Sequence, residues 1–80
     1  MQVHEAYSEE LFTNNIQWAQ ELARRFIVTR GVHTNVADDV ANAALVGLWR
    51  ASMAYSPSRG AFRTYAHTRV IGSILDTLRS

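Results

Sequence analysis

The 80-residue chain has no cysteine, no lysine, a single proline and four glycines. Without cysteine there are no disulfides and no thiolate metal sites. The three histidines, His4, His33 and His67, are too scattered to form a zinc site in their place, so no metal and no cofactor is expected. Long apolar runs are also missing: the longest, Ala43 to Val46, is four residues, where a bilayer span needs about 20. The N-terminus lacks the basic-then-apolar order of a secretory signal. No membrane partner is expected, and the location implied is cytoplasmic. The chain has no Ser/His/Asp set at workable spacing, no phosphate-binding glycine loop and no HExxH, so no catalytic residue and no enzyme is expected.

What is there is globular in kind, with 48% hydrophobic and 19% charged residues. A chain of this length has room for one core, so residues 1–80 read as a single domain, with 1–15 as an N-terminal extension and helix start. Net charge is +1, unevenly spread. Residues 1–45 hold three arginines against six carboxylates, and residues 46–80 hold five arginines against Asp76 alone. That asymmetry reads either as a basic patch facing an anionic partner or as the noise of a short chain. The all-arginine usage fits bidentate phosphate contacts and equally a GC-rich coding bias.

Periodicity divides the chain into three helices, an all-α bundle. Ser8 followed by Glu9 and Glu10 reads as an N-terminal cap, and Phe12, Ile16, Ala19, Ala23 and Phe26 follow at helical steps. Arg30-Gly31 reads as the stop. Asn35 with Asp38 reads as the second cap, and Val36, Val40, Ala44, Gly47, Leu48, Ala51 and Tyr55 form the stripe behind it. A glycine inside a helix costs about 1 kcal/mol against alanine, so Gly47 predicts close approach of another helix. Ser56 to Gly60 is a turn. The third helix runs from Phe62 to Leu78, with Ala66, Val70, Ile71, Ile74 and Leu78 toward the core.

Two faces do not suit a self-contained bundle. On the second helix Asn42, Leu45 and Trp49 fall within about 60° of each other, opposite the core stripe. That face predicts a partner, unless the first helix covers it. On the third helix the outer face carries Tyr65, Thr68, Arg69, Gly72, Asp76 and Arg79, with Tyr55 and Phe62 flanking the turn. Aromatics beside arginines suit single-stranded nucleic acid, where bases stack and guanidiniums follow phosphates. The bland alternative makes Tyr55 and Phe62 core aromatics and the arginines a solvated surface.

Four segments then occur in order: Asp38-Asp39-Val40-Ala41-Asn42-Ala43-Ala44-Leu45-Val46-Gly47-Leu48, Ser56-Pro57-Ser58-Arg59-Gly60, Phe62-Arg63-Thr64-Tyr65-Ala66, and Arg69-Val70-Ile71-Gly72-Ser73-Ile74-Leu75-Asp76-Thr77-Leu78-Arg79. In this order and spacing they resemble region 2 of bacterial sigma-70-family transcription initiation factors, closest to the flagellar type. The resemblance covers 35–80, extends more loosely over 16–34 through Ala23-Arg24-Arg25-Phe26 and Arg30-Gly31, and is not seen in 1–15.

The resemblance implies a module that binds core RNA polymerase on the clamp helices of the β′ subunit through Asp39, Asn42, Leu45 and Trp49. It also implies contact with the non-template single strand of the −10 promoter element through Tyr55, Phe62, Tyr65, Thr68, Arg69 and Gly72. There are departures. The family's Gln is Asn42, one of its glycines is Ala44, the second arginine of its last helix is Ile71, and the stretch between Gly60 and Phe62 is one residue shorter. The family's C-terminal −35-binding domain has no counterpart within these 80 residues. This leaves room for a separate protein that supplies such a domain, or for an anti-sigma-like partner. A second reading therefore stands beside the first: a phage or plasmid regulator, or half of a split sigma factor, that docks on polymerase and inhibits or redirects it without reading DNA. A third makes Trp49 a contact between copies of the chain.

Overall fold

The computed structural model describes residues 3–79. The bounds of the inferred domain at Met1 and Ser80 lie outside the described residues, as do the side chains of His4 and Glu5. Helix α1 spans Val3–Arg30, α2 Ala37–Ala54 and α3 Phe62–Arg79. Short 3-10 turns at Thr34–Val36 and Pro57–Arg59 join them, and no strand occurs among the described residues. At 1.5 Å per residue α1 alone is about 42 Å long, which accounts for the 41 Å long axis of the molecule.

The helix starts differ from the sequence expectation at both caps. Ser8 does not cap α1, because the helix has already begun at Val3. Ser8 is instead an interior residue, 4% exposed, with an unpartnered hydroxyl. Nor does Asn35 cap α2. His33 holds that place one element earlier, its Nδ1 accepting from the Asn35 backbone N–H at 3.1 Å. The 3-10 turn this initiates runs directly into α2, whose first turn carries Asp38 and Asp39, where carboxylates oppose the helix dipole favourably. A side-chain pattern marks that a helix is near; which of two adjacent polar residues turns inward depends on backbone angles the pattern does not carry.

The stops follow the sequence expectation. Gly31 takes φ +62°, and Val32 N–H to Ile27 C=O (3.0 Å) with Gly31 N–H to Val28 C=O (3.4 Å) closes α1 as a Schellman end. Gly60 takes φ +89° after the Pro57 turn.

Helix α2 is the shared partner of the other two. One core gathers Ala19, Ala23 and Phe26 of α1, Val40, Ala43, Ala44 and Leu48 of α2, and Val70 and Ile74 of α3. Gly47 meets its prediction: a Cβ there would lie 2.9 Å from the Arg69 carbonyl oxygen, the Val70 Cα and the Ser73 Cβ. The helices touch backbone to backbone at this point. Beside it the Ser73 hydroxyl donates to the Ala43 carbonyl at 2.7 Å. On α3, Ala66, Val70 and Ile74 face inward and Ile71 packs against the core as expected, but Leu78 is exposed. It borders an open hollow with Gly72, Leu75, Asp76 and Arg79.

Candidate functional site

The outer face of α2 is more divided than its projection suggests. Leu45 is half-buried and packs against the core. Trp49 is 40% exposed, its ring set edge-on to Phe12 of α1 with centroids 5.3 Å apart. Helix α1 thus covers one flank of the face. Its 28-residue length lets it reach this far along α2. Asp39 and Asn42 lie on the other flank, lining a hollow of about 370 Å³ with Val46, Arg50 and Thr77. The open apolar strip runs along Val46 (45% exposed), Trp49 and Met53 (51%). Val46 and Met53 were missed in the sequence. They recur with Asn42 and Trp49 at steps of four, three and four, the helical signal that would have found them.

Around the second turn the structure joins three of the predicted residues in one aromatic cluster. The Tyr55 and Phe62 rings meet edge to face at 5.1 Å, and the Tyr55 and Tyr65 rings tilt together at 5.5 Å. Tyr55 itself is only 9% exposed, and its hydroxyl donates to the Gly60 carbonyl. Tyr55 thus takes the core position that the alternative reading of the sequence gave it. Extended backbone at Tyr55 ends α2 and turns the side chain in, where its ring backs the other two and its hydroxyl fastens the turn. The accessible aromatic surface belongs to Tyr65 and Phe62, both half-buried.

One turn further along α3, the Arg69 guanidinium stands over the Tyr65 ring, 5.1 Å from its centroid. This cation–π contact holds the charge on the same exposed face as the aromatic. Thr68, Arg69 and Gly72 share a second groove with Gly47 and Arg50 of α2. The predicted strand-contacting residues thus form two adjoining groups: the aromatic cluster at the turn and a polar groove behind it.

Arg63 was assigned no role from the sequence. Its Nε donates to Asn15 Oδ1 at 2.8 Å, and its guanidinium covers Trp18 at 5.5 Å. Asn15 in turn donates to the Leu11 carbonyl. These contacts tie the first turn of α3 to α1. The hydrogen-bonded partners are 48 residues apart, and no local pattern links them. On α1, Arg24 donates to Glu21, an exposed pair that holds the Glu21 carboxyl below its ordinary value. Among the described residues no group of three His, Asp or Glu is placed to hold a metal, and no helix is long and apolar enough to cross a membrane.

Three helices, a backbone-close α2–α3 pair and an aromatic-arginine face on α3 define an all-helical domain. The family model of sigma-70 region 2 matches residues 11–80, and the chain belongs to that family. The match starts in the first half of α1, earlier than the motifs alone reach. No curated protein and no solved structure matches the chain. Sigma-70 region 2 is a non-enzymatic transcription-factor domain that binds RNA polymerase and takes part in promoter melting.

Proposed function

We propose that the chain is a sigma-factor-like initiation module acting as one unit over residues 1–80 in the cytoplasm. It docks on the β′ clamp helices of core RNA polymerase through Asp39, Asn42, Leu45 and Trp49. It holds the melted non-template strand of the −10 element through Phe62, Tyr65, Thr68, Arg69 and Gly72, with Tyr55 supporting the rings from behind. The observation that carries this reading is the Tyr65–Arg69 pair at 5.1 Å on the open face of α3. An unstacked base needs an aromatic face, and its phosphate needs a cation within one nucleotide's reach; the pair offers both. Val46 and Met53 extend the apolar strip beside Trp49 and so enlarge the polymerase-facing surface.

The test is paired. Anisotropy of a labelled single-stranded −10 oligonucleotide reports strand binding, and retention on core polymerase reports docking. Tyr65→Ala/Arg69→Ala should lose the first and keep the second, whereas Asn42→Ala/Trp49→Ala should lose the second. A folded wild-type protein that ignores both ligands sinks the proposal.

The second reading keeps polymerase docking but drops DNA, so that the protein inhibits or redirects transcription. It is favoured by Ile71, a core-packed apolar residue where the family has a cation, and by the burial of Tyr55. Polymerase binding with no strand affinity at low salt selects it.

A further inference from the structure

We infer that Arg63 is a positioning residue for the strand-binding face: it fastens the first turn of α3 to α1 and so holds Phe62 and Tyr65 where a base can stack on them. The inference rests on the strand-binding reading of α3 and adds α1 to its support. Helices α1 and α3 each pack mainly on α2. Arg63 reaches directly from α3 to α1, its Nε donating to Asn15 Oδ1 at 2.8 Å and its guanidinium lying over the Trp18 ring at 5.5 Å. Asn15 is only 8% exposed, a polar residue in the stripe between Phe12 and Ala19, where an amide needs partners at both ends. It has them: Nδ2 donates to the Leu11 carbonyl at 2.7 Å, and Oδ1 accepts from Arg63. The bond to its own helix orients the amide, so Arg63 meets an acceptor already fixed in place. The stretch of α3 that this contact anchors lies ahead of Ala66, the first fully buried residue of the helix. It carries the half-buried Phe62 and Tyr65, whose rings lean on Tyr55. At 100° per residue Arg63 lies about 160° around α3 from Tyr65. A base stacked on Tyr65 therefore has Arg69 beside its phosphate, and Arg63 acts through α1 rather than on the strand.

The distinguishing measurement is strand binding by the full chain, read as anisotropy of a labelled single-stranded −10 oligonucleotide over a range of salt. Arg63→Ala should weaken binding about five- to tenfold, the scale of one hydrogen bond, and leave the log–log salt slope at its wild-type value. Arg63→Gln places an amide nitrogen where Nε was, without the charge, and should restore most of the affinity. Asn15→Leu removes the acceptor at similar volume and should lose as much as Arg63→Ala, with the double variant no worse than either single one. Polymerase retention should match wild type throughout. A slope lowered by about 0.7, the single-strand value per phosphate, in both Arg63 variants, with Asn15→Leu harmless, makes Arg63 a phosphate contact and overturns the inference. A lower urea midpoint with unchanged strand affinity makes Arg63 structural only, and overturns it too. A wild type that does not bind the oligonucleotide overturns the strand-binding reading itself, and this inference with it.

Discussion

On its two sides α2 is held by different means. Toward α1 the contact is made by side chains: Phe12 against Trp49, and a ladder of Ala19, Ala23 and Phe26 against Val40, Ala44 and Leu48. Toward α3 it is made at the backbone, through Gly47 and the hydrogen bond from Ser73 to the Ala43 carbonyl. A side-chain interface can shift rotamers to absorb a change, but a backbone one cannot, because nothing flexible separates the helices. The proposed strand contacts Thr68, Arg69 and Gly72 lie along this rigid interface. Helix α1 packs on α2 through side chains, and the close α2–α3 contact fixes how the proposed contacts on the two helices are spaced.

The largest effect should come from breaking the rigid side. Gly47→Val adds atoms against two backbone atoms and a Cβ already at 2.9 Å. It should cost about 3 kcal/mol, the upper end of ordinary overpacking, read as a drop in urea midpoint. Gly47→Ala should cost less, as the gain in helix propensity of about 1 kcal/mol offsets part of the clash. An unchanged midpoint for the valine variant would show that the helices can part freely.

On the adaptable side, Phe12→Ala removes a half-buried ring and the edge-on contact to Trp49. The expected cost is about 1–2 kcal/mol, with a red shift in tryptophan emission as Trp49 gains water. A loss as large as that of Gly47→Val would erase the contrast between the interfaces.

Tyr55→Phe tests the turn that links the α2–α3 pair. It keeps the ring and deletes only the hydroxyl that donates to the Gly60 carbonyl, so about 1 kcal/mol should be lost. Faster amide exchange around Gly60 and weaker strand binding should accompany it, with polymerase retention unchanged. Strand affinity equal to wild type would mean that the turn does not position Tyr65.

The smallest effect is at the surface of α1. Arg24 holds the Glu21 carboxyl below its ordinary value. The pair therefore contributes stability above the unfolded carboxylate pKa and loses it as pH falls through the lowered folded value. Both side chains are exposed, so the contribution is slight. Glu21→Gln should lower the urea midpoint slightly near neutrality, and the difference from wild type should vanish as pH falls through the carboxylate range. A larger change near neutrality would show that Glu21 has a partner beyond Arg24 and Arg25.

Much of this arrangement is legible residue by residue. The apolar steps from Phe12 to Phe26 and from Val40 to Leu48 mark α1 and α2, because burial against a neighbour demands one side chain per turn on the same side. Gly31 and Pro57 mark where the helices stop, since backbone angles at those points exclude most other residues. Gly47 marks a contact because its cost inside a helix needs a reason. Ser8 and Asn35 mislead for the converse reason: short polar residues are compatible with caps but also with helix interiors and turns, and their type does not say which.

The sequence alone determined three helices, where they stop, the close contact at Gly47 and the order of motifs that resembles sigma-70 region 2. Each of these rests on local backbone preference, on periodicity or on residue order, all of which are written along the chain. The tertiary structure decided what each exposed residue meets. It turned Tyr55 inward, half-covered Leu45 and Trp49 with α1, joined Arg63 to Asn15 across 48 residues, and brought Arg50 and Arg69 into one groove. Those outcomes depend on the angle and distance between helices, which many side chains set together and no single stretch of sequence contains.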